Sequence, residues 1–343
     1  MRKLLNTLYV TSPDKYLSLD GENVVISVEK AEVARVPLHN LESIVTFGYA
    51  GVSPALMGAC ATRNIALCLM SRSGRFLAEV VGEVRGNVML RKEQYRTSDD
   101  ESASALIARN MILGKVYNCR WVLERATRDY PDRIDIAKLK NTSAFLQDTI
   151  ENLYESCELE QIRGLEGNAA SRYFAAFDDL ILKNKGTFFF RNRNKRPPLD
   201  NVNALLSFAY ILLANMTAAA LSTVGLDPYV GFLHRDRPGR ISLALDLMEE
   251  LRPVIADRFV LTLINRQVVS EKDFIQKENG AVLLTDDARK NVISAWQAKK
   301  QEKIKHPFLD EKVEWGLVPY VQAMLLARFL RGDLDEYPPF MWK

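Results

Sequence analysis

The sequence predicts an α+β protein, in which a small N-terminal β domain is followed by a large all-α C-terminal domain. Short runs of β-branched and apolar residues fill roughly the first ninety positions. From about Ala103 onward, apolar residues recur mostly at helix-like spacing. A length of 343 residues suits roughly two domains. We therefore predict a β domain at 1–95, a polar linker at 96–102 and a helical domain at 103–343.

The strands of the β domain are predicted from apolar runs between turn residues. Residues 16–20 and 24–28 flank a Gly-containing loop and are expected to form a hairpin. One short helix is expected at 55–62, since Ser53 can cap it and Pro54 suits its first turn. Further strands are expected at 4–10, 43–47, 65–70 and 76–81.

Helices are expected throughout the C-terminal domain. After the first, near Ala103, they are predicted at 134–155, 158–182, 201–224, 242–251, 254–268, 283–302 and 315–330. The run 201–224 is long enough to cross a bilayer. Its Ser, Thr and Asn residues and its many alanines favour a helix buried in protein, so we expect no membrane association. Two prolines near the C-terminus predict a non-helical tail at 335–343.

Composition limits the classes of function. The net charge of +3 is only a weak sign of an anionic partner. The four cysteines form no CxxC pair, which disfavours a zinc cage and suits a reducing compartment. The N-terminus lacks the apolar stretch of a signal peptide, so we expect a cytoplasmic protein.

A first candidate site segment, at 163–174, places two glycines around Glu166. Glycine costs a helix interior about 0.5–1 kcal/mol relative to alanine. Two of them in quick succession predict a close backbone approach that presents the Glu166 carboxylate at a defined point. A helix junction with an exposed glutamate is the alternative on spacing alone.

A second candidate segment, at 231–240, sets His234 in a loop that contains Pro and Gly. His39 and His306 are expected at the surface. His234 follows an apolar Phe-Leu pair and is predicted to stand at the edge of a pocket. A structural histidine is the alternative. The same loop carries three arginines, Arg235, Arg237 and Arg240.

A third candidate segment is the helix that Ser242 begins and Pro253 ends. Asp246, Glu249 and Glu250 lie at i, i+3 and i+4, so their carboxylates share one face. Like charges at this spacing repel, and a bound cation would reverse the sign of that interaction. A solvated acidic face is the alternative for this segment.

The three segments together supply carboxylates and an imidazole without cysteine, a set that suits Mg²⁺ or Mn²⁺. Such a cation can activate a hydroxyl and stabilise charge on a phosphoryl group. Arginines near the segments could bind phosphates. These candidates are Arg191, Arg193, Arg196, Arg235, Arg237, Arg240 and Arg252. A solvated loop is the alternative for 191–196, although Pro197 and Pro198 suggest a stiff, held one.

Three long motifs resemble the signature segments of the CRISPR-associated Cas-one integrase family in order and spacing. They are GLEGNAASRYF, RNRNKRPPLDNVNALLSFAY and GLDPYVGFLHRDRPGRISLALDLMEELRP. The resemblance covers essentially the whole chain and is closest to the subtype I-C branch. It implies an N-terminal β-sandwich domain that forms homodimers. It also implies that Glu166, His234 and Glu249 are catalytic metal ligands, with Asp246 as a supporting acidic residue and Glu250 as an alternative third ligand.

The function that the resemblance implies is DNA integration in CRISPR spacer acquisition, with Mg²⁺ or Mn²⁺ as cofactor. The 3′-OH ends of a captured DNA duplex would be joined to a CRISPR repeat by transesterification. The implied partners are these DNAs, a second copy of the chain and a dimer of the small Cas-two protein. A Cas-four nuclease is a further candidate partner. A metal-dependent structure-specific DNA endonuclease and a non-catalytic DNA-binding scaffold are the alternatives.

Overall fold

A computed structural model describes residues 7–41, 43–63, 65–71, 76–80 and 88–343. The chain forms two compact units. The first comprises residues 1–85 together with 284–301, and the second comprises 86–283 together with 302–343. This division differs from the predicted one, because the β-rich unit ends earlier in the chain and includes a segment far along the sequence.

The first unit contains two β-sheets. Its strands are β1 (Thr7–Val10), β2 (Tyr16–Asp20), β3 (Asn23–Val28), β4 (Ala31–Pro37), β5 (Ser43–Phe47), β6 (Ala66–Met70) and β7 (Phe76–Val80). The four-stranded sheet has the order β1-β5-β6-β7, in which β1, β5 and β6 run parallel. The three-stranded sheet is antiparallel, with the order β2-β3-β4. The predicted residues 4–6 and 81 lie outside the described residues.

Local sequence signals account for most of this unit. The hairpin of β2 and β3 is confirmed, and Gly21 supplies the positive φ of 56° that its turn requires. The helix α1 (Pro54–Arg63) is also confirmed, with Ser53 Oγ accepting from Leu56 N at 3.2 Å. Strand β4 was not predicted, because its first five residues are exposed and show no apolar alternation.

A single buried cluster draws on both sheets and on α1. Leu17 of β2, Val24 of β3, Ile44 of β5 and Leu67 of β6 are fully buried with Leu56 of α1. The inward positions of the strands therefore form the apolar core that the β-rich pattern predicted. The sandwich-like arrangement of the two sheets stays a prediction.

The second unit is largely helical. Its helices are α2 (Val88–Asp99), α3 (Glu101–Asp129), α4 (Ile136–Glu155), α5 (Leu159–Ala175), α6 (Asn201–Val224), α7 (Ser242–Glu249) and α8 (Arg258–Asn265). A π-helical turn at Arg252–Asp257 lies between α7 and α8. Helix α9 (Asp286–Gln301) belongs to the first unit, and α10 (Val318–Leu330) is the last helix of the second. The prediction of an all-α domain is wrong in one respect. Two short two-stranded sheets occur, β8 (Phe274–Gln276) with β9 (Val282–Leu284) and β10 (Lys303–Lys305) with β11 (Lys312–Glu314).

The segment predicted as a linker is helical at its start and end. Residues 96–99 complete α2, and α3 begins at Glu101. Asp100 caps α3, since its side chain accepts from Ser102 N at 2.9 Å and from Ala103 N at 3.1 Å. The polar composition of 96–102 therefore reflects a helix N-cap between two helices.

Helix α6 forms part of the core of the second unit. Among the described residues it is the one helix long and apolar enough to cross a membrane, with a mean hydropathy of 1.8 over 18 residues. Its side chains are nevertheless mostly buried in protein, and only Ser222 and Thr223 at its end are exposed. The prediction of a buried helix at these residues is therefore confirmed.

The C-terminal tail is non-helical, as predicted, but it is packed into the second unit. Tyr337 and Phe340 are buried. Asn110 Nδ2 donates to Tyr337 O at 2.8 Å, and Asn118 Nδ2 donates to Phe340 O at 2.7 Å. The tail is therefore an integral part of this unit, held by side chains of α3.

His306 contradicts the prediction of a surface histidine. Its side chain is fully buried, its Nε2 lies 3.1 Å from Gln322 Oε1, and its ring packs against Phe340. Burial lowers the pKa of His306 from 6.5 to about 4. His39 is exposed, as predicted.

Replacing His306 with phenylalanine is expected to flatten the pH dependence of folding stability between pH 6.5 and about 4. The folded state favours the neutral ring, so its contribution is complete above pH 6.5 and is lost as the pH falls through the folded-state pKa. The loss amounts to at most about 3 kcal/mol. Urea unfolding at pH 7.5, 6 and 5 measures the slope. His39→Phe is the matched control and should keep the wild-type slope. An equal slope in the two variants would contradict the prediction.

Candidate active site

Two of the predicted ligands meet at a lysine that the sequence analysis did not single out. Glu166 lies on α5, Glu249 ends α7, and Lys115 projects from α3. The Nζ of Lys115 contacts Glu166 Oε1 directly and lies 2.6 Å from Glu249 Oε2. The fold therefore brings two carboxylates, 83 residues apart in sequence, to one cationic nitrogen.

The charges of this cluster stabilise one another. Burial opposes the charge on Glu249, but Arg252 and Lys115 outweigh it and lower the pKa of Glu249 to about 2. Arg252 Nη1 lies 2.7 Å from Glu249 Oε1. Burial likewise opposes the charge on Lys115, but Glu249 and Glu166 raise the pKa of Lys115 above its ordinary value. Both carboxylate and ammonium are therefore charged at neutral pH.

Asp246 holds the loop that carries His234. Its carboxylate is fully buried and accepts from the backbone N–H groups of Phe232 at 2.7 Å, Leu233 at 2.9 Å and His234 at 3.0 Å. Oδ1 also lies 2.5 Å from His234 Nδ1. Because Asp246 engages Nδ1, Nε2 is the ring nitrogen that can face a ligand. Asp246 therefore orients His234, and its supporting role at a metal site stays a prediction.

Glycine is required next to this carboxylate. A Cβ on Gly231 would lie 2.5 Å from Asp246 Oδ2 and 2.9 Å from the carbonyl carbon of Ser242. Neither group can move without breaking the loop's hydrogen bonds. The close backbone approach that was predicted at the glycines around Glu166 thus occurs at Gly231 instead.

Two further side chains, both missed by the sequence analysis, fix the same loop. Gln94 of α2 is fully buried; its Nε2 donates to Asp227 O and Val230 O at 2.8 Å each, and its Oε1 accepts from Asp227 N at 2.9 Å. Arg163 of α5 donates through Nε to Leu233 O at 2.8 Å. No local pattern signals either contact, because each joins segments far apart in sequence.

The carboxylate of Glu250 makes different contacts from the carboxylate of Glu249. Its Oε1 accepts from Tyr337 OH at 2.6 Å and from Gln322 Nε2 at 2.9 Å, and its Oε2 accepts from Phe340 N at 2.9 Å. Burial raises the pKa of Glu250 to about 7. Glu250 therefore anchors the C-terminal tail, while Glu249 is the glutamate that shares Lys115 with Glu166.

The cluster can be tested for its fit to a divalent metal. Across the described ranges, no group of three or more His, Cys, Asp or Glu side chains is arranged to hold an ion. Lys115 occupies the position between Glu166 and Glu249, and Asp246 engages His234. His234 is held against Asp246, which lies one helical turn before Glu249 on α7. Two carboxylates already converging on one cation, with an imidazole beside them, are donors that fit Mg²⁺ or Mn²⁺.

Two of the seven predicted phosphate-binding arginines, Arg193 and Arg252, are half-buried and engaged within the site. Arg193 Nη1 donates to Asn194 O at 2.6 Å and to Asn203 Oδ1 at 2.7 Å. Arg252 pairs with Glu249, and both guanidinium groups lie over the ring of Tyr210. These two arginines hold the site together, and the contacts of Arg193 hold the loop that was predicted to be stiff.

The other predicted arginines are more accessible. Arg235 is exposed and pairs with Glu160 at 2.9 Å, and Arg240 is half-buried. Three are exposed in two loops, Arg191, Arg196 and Arg237. Burial and the nearby Arg252, Arg193 and Arg196 lower the pKa of Lys195. Positive charge is therefore in excess on this side of the site, which favours an anionic ligand.

A small cavity adjoins Lys115. Its volume is about 20 Å³, and Tyr173, Tyr210 and Asp257 contribute to its lining. Tyr210 OH donates to Asp257 Oδ1 at 2.6 Å. Burial raises the pKa of Asp257 to about 6. The cavity thus places a second buried carboxylate behind the cluster of Lys115, Glu166 and Glu249.

No other part of the described chain approaches Gly164 or Gly167 closely. Both glycines lie within α5, both are exposed, and a Cβ added to either would meet no atom within 4 Å outside the backbone of the helix itself. The face of α5 next to Glu166 is therefore bare backbone open to solvent.

Replacing Gly164 or Gly167 with alanine is expected to stabilise the fold by about 0.5–1 kcal/mol each, because alanine loses less backbone entropy in a helix. The added methyl meets open space at both positions. Chemical denaturation measures the gain. Gly231→Ala is the contrasting control and should be strongly destabilised. A loss of stability at Gly164 or Gly167 would contradict the prediction.

Comparison with known sequences identifies relatives over the full length. A profile of the family described as CRISPR associated protein Cas1 matches residues 8–298. The CRISPR-associated endonuclease Cas1 2 of Rhodospirillum rubrum is 52% identical over 347 residues, covering 100% of both chains. The CRISPR-associated endonuclease Cas1 1 of Chlorobaculum tepidum is 50% identical over 343 residues, again covering 100% of both. A CRISPR-associated exonuclease Cas4/endonuclease Cas1 fusion of Geobacter sulfurreducens is 38% identical, covering 97% of this chain and 60% of the fusion.

Comparison with solved structures identifies the same fold. A casposase bound to integration product superposes with a TM-score of 0.83 at 23% identity, covering 98% of this chain and 93% of the casposase chain. A chain of a Cas6-RT-Cas1–Cas2 complex superposes with a TM-score of 0.83 at 21% identity, covering 100% of this chain and 36% of that one. At these identities the likeness concerns the fold.

Proposed function

The chain belongs to the CRISPR-associated Cas1 family, and from this premise we propose that it is a metal-dependent DNA integrase of CRISPR spacer acquisition. The proposed reaction joins the 3′-OH ends of a DNA fragment to a CRISPR repeat by transesterification. The observation that carries the proposal is the convergence of Glu166 and Glu249 on one cationic position, with His234 held by Asp246 on the helix that Glu249 ends. The casposase of similar fold was solved with an integration product, which is in keeping with joining chemistry.

In this proposal Glu166, Glu249 and the Nε2 of His234 hold one Mg²⁺ or Mn²⁺. When bound there, such an ion would supply Lewis acidity toward the phosphodiester and the attacking hydroxyl. In this role Asp246 Oδ1 accepts a hydrogen bond from Nδ1–H of His234, which leaves the lone pair of Nε2 free for the ion. Arg252 holds Oε1 of Glu249, which orients the carboxylate.

The proposed DNA contacts come from the accessible basic groups around the site. Arg191, Arg196 and Arg237 are exposed, so their guanidinium groups can bind phosphates in bidentate geometry. Arg235 and Arg240 lie in the same loop as Arg237. Lys195 lies in the loop of Arg191 and Arg196 and adds a positive charge there. Arg193 and Arg252 contribute indirectly. Arg193 holds its own loop through Asn203, and Arg252 holds Glu249. The bare face of α5 at Gly164 and Gly167 leaves room for the DNA backbone.

The proposed partners follow from the family. We propose a homodimer formed through the β-rich unit and a complex with a Cas-two dimer, in keeping with the Cas1–Cas2 complex of similar fold. A Cas-four nuclease is a further proposed partner, since the Geobacter sulfurreducens relative is a fusion of Cas4 with Cas1. Assignment to the subtype I-C branch is likewise a proposal and rests on the three motifs.

A DNA endonuclease is the second candidate function. It is favoured by the names of the relatives at 50% and 52% identity, which are called endonucleases. Water would then take the place of the 3′-OH as the attacking group, with the same residues holding the metal. The products of the two reactions differ. Joining yields a strand that contains both fragment and repeat, whereas hydrolysis yields only shortened strands.

The test of the proposed function is a joining assay. The protein and its small partner are incubated with a labelled duplex bearing free 3′-OH ends and a plasmid carrying the repeat, with Mg²⁺ or Mn²⁺. Transfer of label to the plasmid, lost with chelator or with a fragment ending in 3′-deoxynucleotides, supports the integrase. Shortened strands alone would support the endonuclease. Activity unaffected by His234→Ala would support a scaffold.

A further inference from the structure

Lys115 is buried at the centre of the site, a placement that phosphate binding does not explain. The residue lies on α3 and is 7% exposed. Its Nζ touches Glu166 Oε1 and lies 2.6 Å from Glu249 Oε2. The ammonium offsets the repulsion between these two carboxylates in a poorly solvated place.

The position of this nitrogen is also where a shared metal ion has to lie. Mg²⁺ and its relatives bind carboxylate oxygens at about 2 Å, so an ion bound to both carboxylates occupies the space between them. Two cations at such short range repel strongly. Lys115 and the ion therefore exclude each other from Glu166 and Glu249.

The displaced ammonium has a place to go. The cavity of about 20 Å³ beside Lys115 is large enough for a group the size of one water molecule. Asp257 lines it with a buried carboxylate, whose Oδ1 accepts from Tyr210 OH. A lysine head on a flexible four-carbon stem can turn from one carboxylate to another.

We propose that Lys115 is an internal competitor of the divalent ion, which holds Glu166 and Glu249 in the metal-free protein and moves to Asp257 when the ion binds. This inference rests on the proposed function, because it assumes that these carboxylates bind a metal. The arrangement keeps the carboxylates paired before the metal arrives and makes metal affinity depend on the ease with which Lys115 is displaced.

Mn²⁺ binding to the full chain without DNA, measured by electron paramagnetic resonance of free Mn²⁺, tests the proposal. Lys115→Met removes the charge with little change in length. It is expected to lower the Kd for Mn²⁺ by at least about tenfold, because no ammonium then competes with the ion for Glu166 and Glu249. It should also enlarge the rise in melting temperature on adding Mn²⁺. Lys140→Met, which removes a lysine paired with Glu124 on the protein surface, is the control and should leave the Kd unchanged.

A second variant changes Asp257, to which the Lys115 ammonium is proposed to move. Asp257→Asn removes the carboxylate that receives the ammonium, so the Kd for Mn²⁺ is expected to rise by about threefold to tenfold. In the Lys115→Met background the same change should have no effect, because no ammonium has to move. Lys115→Arg keeps the charge on a head too large for the cavity and should also raise the Kd.

An unchanged or higher Kd in folded Lys115→Met would overturn the proposal. If Lys115→Met does not fold, the Lys115→Arg and Asp257→Asn variants decide it, and an unchanged Kd in both would overturn it. Failure of every variant and of the wild type to bind Mn²⁺ would overturn the proposed metal dependence as well. Normal Mn²⁺ binding with no dependence on Lys115 would overturn this inference alone.

Discussion

Replacing Glu166 with glutamine is expected to slow strand joining by about a thousandfold or more, which corresponds to about 4 kcal/mol of transition-state stabilisation. The amide is neutral and a poorer ligand for a hard cation than the carboxylate. One negative charge is thereby lost from the cluster at which Lys115, Glu249 and the proposed metal meet. Single-turnover joining of a labelled fragment to repeat DNA measures the rate.

The fold is expected to survive this change. The Glu166 side chain is 27% exposed, and Lys115 keeps its pairing with Glu249. Glu158→Gln makes the same chemical change at an exposed position just before α5 and is the control, which should join at the wild-type rate. Wild-type joining by folded Glu166→Gln would contradict the proposed role of this carboxylate.

Replacing Asp246 with asparagine is expected to weaken both the fold and metal binding. The carboxylate accepts three backbone N–H groups and faces His234 Nδ1. The amide replaces one acceptor oxygen by a donor nitrogen, so at least one buried N–H loses its partner, at a cost of about 1–3 kcal/mol. The imidazole also loses the anion that orients it, and changes of this kind lower metal affinity by about 10–100-fold.

Chemical denaturation and Mn²⁺ titration measure the two effects of Asp246→Asn separately. Asp135→Asn is the control, because Asp135 also accepts a backbone N–H, from Lys138 at 3.0 Å, but lies at the exposed start of α4. Asparagine caps helices as well as aspartate does, so this control should keep its stability and its Mn²⁺ affinity. A variant at Asp246 with wild-type Mn²⁺ affinity would show that orientation of His234 is not needed for binding.

Local signals in the sequence determined the family and most of the secondary structure. The match of the profile to residues 8–298 confirms the resemblance to the Cas-one family that three motifs indicated. The cap at Ser53, the turn at Gly21 and the apolar run of α6 each predicted an element that the structure contains. These features succeed because the residues that decide them are neighbours along the chain. The assignment of Glu166, His234 and Glu249 as metal ligands stays a prediction.

The sequence did not predict the elements that lack a local pattern of apolar residues. In α2, Leu90 and Gln94 are the buried residues, so its apolar period is too weak to indicate a helix. Strand β4 is exposed along most of its length. Both elements owe their structure to neighbours that are distant in sequence, and no window of the chain contains that information.

The sequence by itself determined the family and supplied the candidate site residues, since the motifs contain Glu166, His234, Asp246 and Glu249. Only the tertiary structure decided how they are supported. It placed Lys115 between two carboxylates, turned Glu250 toward the C-terminal tail and set Gly231 against Asp246. The physical reason is that burial and pairing depend on which helices pack together, and packing joins residues that no sequence spacing relates.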